Sequence, residues 1–182
     1  MALTGLLLQP SPSTESKDNM PATYEKIATT TLGSAQGTIT FSSIPSTYTD
    51  LRLVMTFTTT AGELIKAQYN GDTATNYSVT SLYGDGSTAG SFRVTSINYV
   101  YVTNGSDTTV PHFATLDIFS YAGSTNKTSL GTQSRDNNGS GTVGQFVHLW
   151  RSTSAINSIA LFPNSGNFKT GTTATLYGIL KA

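Results

Sequence analysis

The sequence predicts an all-β protein: an antiparallel β-sandwich, jelly-roll-like, carried behind an extended N-terminal arm. Three observations point there. Beyond Met20, short runs of alternating apolar and polar residues succeed one another between Gly, Asn, Asp and Ser turn signals. Ser and Thr make up roughly 30% of the chain, and Thr favours strands while wetting a surface without charge. Only one short stretch, "TNYSVTSLYG", reads as helix-like, and it is expected on a long connection between strands.

Taken in order, "GTITF" alternates, with Ile39 and Phe41 on one side. "DLRLVMTFTTT" is the cleanest strand, with Leu51, Leu53, Met55 and Phe57 facing inward and Arg52, Thr56 and Thr58 outward. "ELIKAQY" runs into Asn70-Gly71, a hairpin-type turn signal. "SFRVTSINYVYVT" ends at Asn104-Gly105, and "PHFATLDIFSYAG" opens on Pro111, where a missing N–H is tolerated. "KTSLGTQS" leads into the loop "RDNNGSG", and "QFVHLWRS", "INSIALF" and "TATLYGIL" follow. That makes about nine or ten strands at spacings of about 8–15 residues, the pattern of a sandwich. In "INYVYV" and "ATLDIFSY" both faces carry apolar residues, so the second face needs a cover. A loop of the same chain or a neighbouring subunit would serve.

Residues 1–19 stand apart. "MALTGLLL" has no basic residue before Lys17, no small-residue cleavage site and too short an apolar run for a signal peptide or a bilayer span. "QPSPSTESKDN" is too polar to fold alone. The expectation is therefore an arm over 1–19 whose tip, Leu3, Leu6, Leu7 and Leu8, docks on a partner, followed by one sandwich domain over 20–182.

Composition narrows the functions. Lys plus Arg is 10 and Asp plus Glu is 10, which argues against a nucleic-acid partner, whose phosphates demand a basic face. Charged residues are 11% of the chain against about 25% in ordinary domains, a composition suited to a subunit inside an assembly. There is no Cys, so thiolate metal sites and Cys catalysis are excluded. "GSGTVG" (Gly139, Gly141, Gly144) matches a dinucleotide pattern in letters only, because a polar loop precedes it and a strand follows. His112 and His148 have no nearby ligand at metal spacing. Asp50, Asp72, Asp85, Asp107 and Asp136 read as turn residues, and Asp117 reads as a partner for an Arg or a backbone amide. No enzyme, cofactor, metal or membrane partner is expected. The loops "YNGDTATNY" and "YGDGSTAG" combine aromatics with Asp, Asn and Gly, which can bind sugars by stacking and hydrogen bonds; Tyr69, Tyr83, Asp85 and Trp150 are the candidates.

"TTLGSAQGTITFSSIPSTYTDLRLVM", "YNGDTATNYS", "SLYGDGS", "LWRSTSAINSIAL" and the closing "GTTATLYGI" together resemble a group of tailed-bacteriophage virion structural proteins, over roughly residues 22–180. "IP-x-TYTDL" and "ATLYGI" are the most specific phrases. The resemblance implies jelly-roll or related sandwich modules, used as capsid decoration (cement) proteins or in tail fibres, with no catalytic motif. It implies location in a virion, a homo-oligomer, most simply a trimer, and the major capsid protein or other virion proteins as partners. A small body with an arm and no coiled-coil stretch suits a decoration protein. The alternative is a tail or fibre module that binds host surface carbohydrate.

Overall fold

The computed structural model describes residues 23–180. Twelve strands form it: β1 (Tyr24–Thr31), β2 (Ile39–Phe41), β3 (Asp50–Phe57), β4 (Ile65–Tyr69), β5 (Tyr77–Gly84), β6 (Ala89–Ile97), β7 (Val100–Tyr101), β8 (His112–Phe119), β9 (Lys127–Asp136), β10 (Gly141–Trp150), β11 (Ile159–Pro163) and β12 (Thr173–Ile179). Every pairing is antiparallel. Eight strands make one sheet in the order β1-β12-β3-β8-β9-β10-β5-β6, and four make a second in the order β2-β11-β4-β7. The arm and its leucines, Leu3, Leu6, Leu7 and Leu8, and the expected boundary at Met20 lie outside the described residues.

The core is where the two sheets meet. Leu51, Leu53, Met55 and Phe57 of β3 and Leu116 and Ile118 of β8 face Ile65 and Tyr69 of β4 and Ile159 and Leu161 of β11, all almost fully buried. Strict alternation along β3 puts each of these inward and leaves Arg52, Val54 and Thr56 on the outside. The sheets are unequal. At about 4.8 Å per strand, the wide sheet measures about 34 Å across and the narrow one about 14 Å. The narrow sheet cannot cover the whole inner face; its edge strand β7 packs against β5 and β10 and, through Tyr101 on Phe92 at 5.7 Å, against β6.

Four sequence expectations are corrected. "TNYSVTSLYG" is not helical: Tyr77–Gly84 is strand β5, held between β10 and β6. Its Tyr77, Val79 and Ser81 alternate inward, and the Thr, Val and Tyr content suits a pleated surface. Asn70-Gly71 does form a turn with both φ positive, 54° and 68°, closed by the Asp72 N–H on the Tyr69 carbonyl at 2.9 Å. It does not make a hairpin, because β4 and β5 belong to different sheets. "SFRVTSINYVYVT" is two strands, broken between Ile97 and Val100. Among the described residues the strands number twelve rather than nine or ten, because β1 has no clear alternation, β5 reads as helix-like and the short β7 is not separated from β6 by pattern.

The two phrases that carry the resemblance turn out to be one structural unit. "ATLYGI" is β12, paired to β3, and the Tyr48 ring of "TYTDL" covers Gly178 so closely that a Cβ there has no room. These residues specify how two strands and a loop pack.

Candidate functional site

Two surfaces stand out. The first is a cleft of about 220 Å³ at the end of the inner face that the narrow sheet leaves bare. Its floor is built by register. Gln133 of β9 pairs with Gly144 of β10, and Gly144 with Tyr83 of β5. Two residues along each strand, on the same face, stand His112, Arg135 and Thr142, with Asp85 at the rim. The roof is the β7–β8 connection, at Asn104, Gly105 and Ser106. Roof and floor are tied by the Asn104 N–H donating to Gln133 Oε1 at 2.6 Å and by Arg135 Nη1 donating to Asp107 Oδ2 at 2.8 Å.

The polar groups here are incompletely matched. His112 is 3% exposed, packs its ring 5.6 Å from Phe57, and neither ring nitrogen has a hydrogen-bond partner. Burial, and then the Arg135 charge, push its pKa down to about 4 against the pull of Asp107, so it is neutral at pH 7. Arg135 Nε is also buried and unpartnered. Asp107 is held well below the usual carboxylate range by the Thr109 and Val110 N–H groups, the Thr109 hydroxyl and Arg135. Its charge therefore offsets that of Arg135 permanently.

Of the four residues expected to meet a sugar, the structure separates two from two. Tyr83 and Asp85 line the cleft. Tyr69 and Trp150 do not reach a surface: they are 1% and 3% exposed and pack edge to face at 5.5 Å in the core. Trp150 Nε1 donates to Asp72 Oδ2 at 2.7 Å, so the indole is a structural clamp on the β4–β5 loop. His112, Gln133, Arg135 and Asn104 were missed by sequence reasoning. One signal was available. Along β9 the inward positions are Lys127, Ser129, Gly131, Gln133 and Arg135, a polar face turned towards the interior while Leu130 points out.

The carboxylates behave as turn and pairing groups. Asp72, Asp85, Asp107 and Asp136 each accept the N–H of the residue two positions on, at 2.7–2.9 Å. Asp117 lies 3.6 Å from Arg52 across the β3–β8 pair, and burial raises its pKa against the pull of that Arg. Gly139 and Gly141 sit at the β9–β10 hairpin and Gly144 within β10. Among the described residues no group of three His, Asp or Glu side chains could hold a metal ion, and no helix is long and apolar enough to cross a membrane.

The second surface is the outer face of the wide sheet. Leu82, Val143, Phe113 and Val147 are 62%, 59%, 55% and 51% exposed, and Phe119 and Val54 are exposed beside them. Their registers place them in adjoining rows: Phe113 and Val143 flank Ser134, Val54 and Leu82 end a row through Thr115, Thr132 and Gln145, and Val147 pairs with Leu130. Between them stand Thr pairs, such as Thr115 to Thr132 at 2.7 Å, and the self-neutralising Arg52–Asp117 pair. The two doubly apolar segments thus differ. "ATLDIFSY" leaves Phe119 bare, whereas in "INYVYV" Tyr99 and Tyr101 cover each other at 5.1 Å beneath Lys66. The chain matches no known family model, no curated protein and no solved structure.

Proposed function

We propose that this chain is a structural subunit of a tailed-bacteriophage virion, serving as a capsid decoration (cement) protein. The observation that carries the reading is the outer face of the wide sheet. Monomeric soluble proteins rarely expose contiguous apolar patches beyond a few hundred Å². This one presents Val54, Leu82, Phe113, Phe119, Val143 and Val147 across its broadest surface, interspersed with Thr and with no unpaired charge at its centre. An apolar, Thr-studded patch of this kind is buried by a second copy of this chain in a homo-oligomer; in the trimer that the resemblance suggests it meets a different surface of the neighbour, because a face that met itself would close a two-fold dimer. The carboxylate turns and the Arg52–Asp117 pair hold the fold, which is in keeping with an architectural role.

The test is localisation. Cryo-EM of particles carrying a tagged copy should show density at regular positions on the capsid exterior, in contact with the major capsid protein. Density confined to the tail, or none on the particle, overturns the assignment.

A further inference from the structure

We propose that the cleft between the Tyr83–Gly144–Gln133 row and the Asn104–Gly105 roof binds a single neutral sugar ring. This goes beyond an architectural role and uses a surface on the opposite side of the wide sheet from the apolar face.

Charge comes first. Arg135 is matched by Asp107 at 2.8 Å, and His112 is buried in an environment that keeps it neutral. The remaining charge is Asp85 at the rim, whose Oδ1 is occupied by the Ser87 and Thr88 N–H groups. The cleft therefore has no surplus positive charge to attract a phosphate or carboxylate, and no cluster of acids to hold a cation. Hydrogen bonding comes next. Gln133 commits Oε1 to the roof and leaves Nε2 over Gly144, 3.1 Å from where a Cβ would stand. Among the described residues the Asn104 side-chain amide and the Thr142 hydroxyl have no hydrogen-bond partner either, while the Tyr83 hydroxyl leans over Gly90, on the side of β5 away from Gln133. These are donors and acceptors mixed at short range, the requirement of a ring that carries several hydroxyls. Behind them His112 and Arg135 Nε add buried unmet groups, which cost free energy until a hydroxyl or water meets them. Size and shape agree. A volume of about 220 Å³ lies below the range of about 300–1,000 Å³ usual for larger ligands and suits one ring, with Tyr83 as the aromatic wall. Gly144 is the enabling residue, because any side chain there displaces the Gln133 amide.

The experiment is two-dimensional NMR of the full chain titrated with methyl α-glucopyranoside, methyl β-galactopyranoside and methyl N-acetyl-β-glucosaminide, and separately with inorganic phosphate. The expected result is saturable shifts at Gly105, Gly144 and the Gln133 side-chain amide for at least one sugar, with millimolar dissociation, and none for phosphate. Gly144→Ala should weaken binding at least about 10-fold, as should Asn104→Ala, which leaves the floor intact. Leu82→Ser, on the outer face of β5 beside Tyr83, should bind like the parent. Absence of saturable shifts with all three sugars, tighter binding of phosphate, or unchanged affinity in both cleft variants overturns the proposal.

Discussion

His148 offers the most quantitative check on the interior. It lies on the buried face of β10, 1% exposed, stacked on Phe146 at 6.0 Å, with Nδ1 3.3 Å from the Ser129 hydroxyl and Nε2 unpartnered. Burial pushes its pKa down to about 4 from an ordinary 6.5, and the polar backbone of Tyr101 and Ser129 nearby only partly opposes this. The folded state therefore resists the proton that the unfolded chain accepts. Stability is full above about pH 6.5 and is lost as pH falls towards 4. Linkage gives a loss of about 2 kcal/mol between pH 7 and pH 5 for this one group, reaching about 3 kcal/mol near pH 4. At about 2–4 °C per kcal/mol for a chain of this size, the melting temperature should fall about 4–8 °C by pH 5 through His148 alone, and His112 adds a similar slope. Asp72, Asp85 and Asp107, whose carboxyls are lowered, lose their contributions mostly below pH 4, while Asp117, raised by burial, adds stability as pH falls and opposes the slope equally in parent and variant. Thermal melts at half-unit steps should show the slope in the parent and roughly half of it in His148→Phe, in which Ser129 keeps the Tyr69 hydroxyl as partner. A parent whose melting temperature is flat from pH 7 to pH 5, or a variant with the full slope, would show that His148 is not buried as described.

Three further outcomes are expected. Leu53→Ala, at a fully buried position, should cost about 2–5 kcal/mol in denaturant melts, whereas Arg52→Ala, part-exposed beside Asp117, should cost under about 1 kcal/mol and less still in high salt; the reverse order would mean that the faces of β3 are exchanged. Gly178→Ala should destabilise by about 1–3 kcal/mol by driving the Tyr48 ring off β12, and Tyr48→Ala should relieve much of that penalty in the double variant; additive costs would break the link between the two phrases. Deleting residues 1–19 should leave melting temperature and oligomer mass nearly unchanged while reducing incorporation into particles, as quantified by gel densitometry of purified virions; full incorporation would make the arm a mere tail.

What the sequence shows plainly is the part of the fold governed by alternation. β3 carries Leu51, Leu53, Met55 and Phe57 on one side, so its inward face follows from a periodicity of two, whereas β8 also sets Phe113 and Phe119 outward. Asp72, Asp85, Asp107 and Asp136 were equally legible, because an Asp two residues before a free N–H acts locally, whereas Asp50, read as a turn residue, opens β3 and accepts the distant Ser120 N–H at 2.7 Å. β5 was not, since "TNYSVTSLYG" has both faces mixed and takes its identity from neighbours β10 and β6, which are distant in sequence. The cleft was half legible. Tyr83 and Asp85 lie on one loop-proximal stretch, but Gln133, Arg135 and His112 reach them only through the registers of β8, β9 and β10. Trp150 and Tyr69 look like surface aromatics beside polar loops, and only the packing of the two sheets takes them inside.

The central claim is that the outer face of the wide sheet is covered by another copy of this chain. Light scattering coupled to size-exclusion chromatography at micromolar concentration tests it directly, comparing the parent with Val147→Arg, which places a charge where a 51% exposed valine meets Leu130. The account predicts a parent mass that is a multiple of 19.2 kDa and a folded, monomeric Val147→Arg protein. A monomeric parent, or an oligomer that Val147→Arg leaves intact, would contradict it.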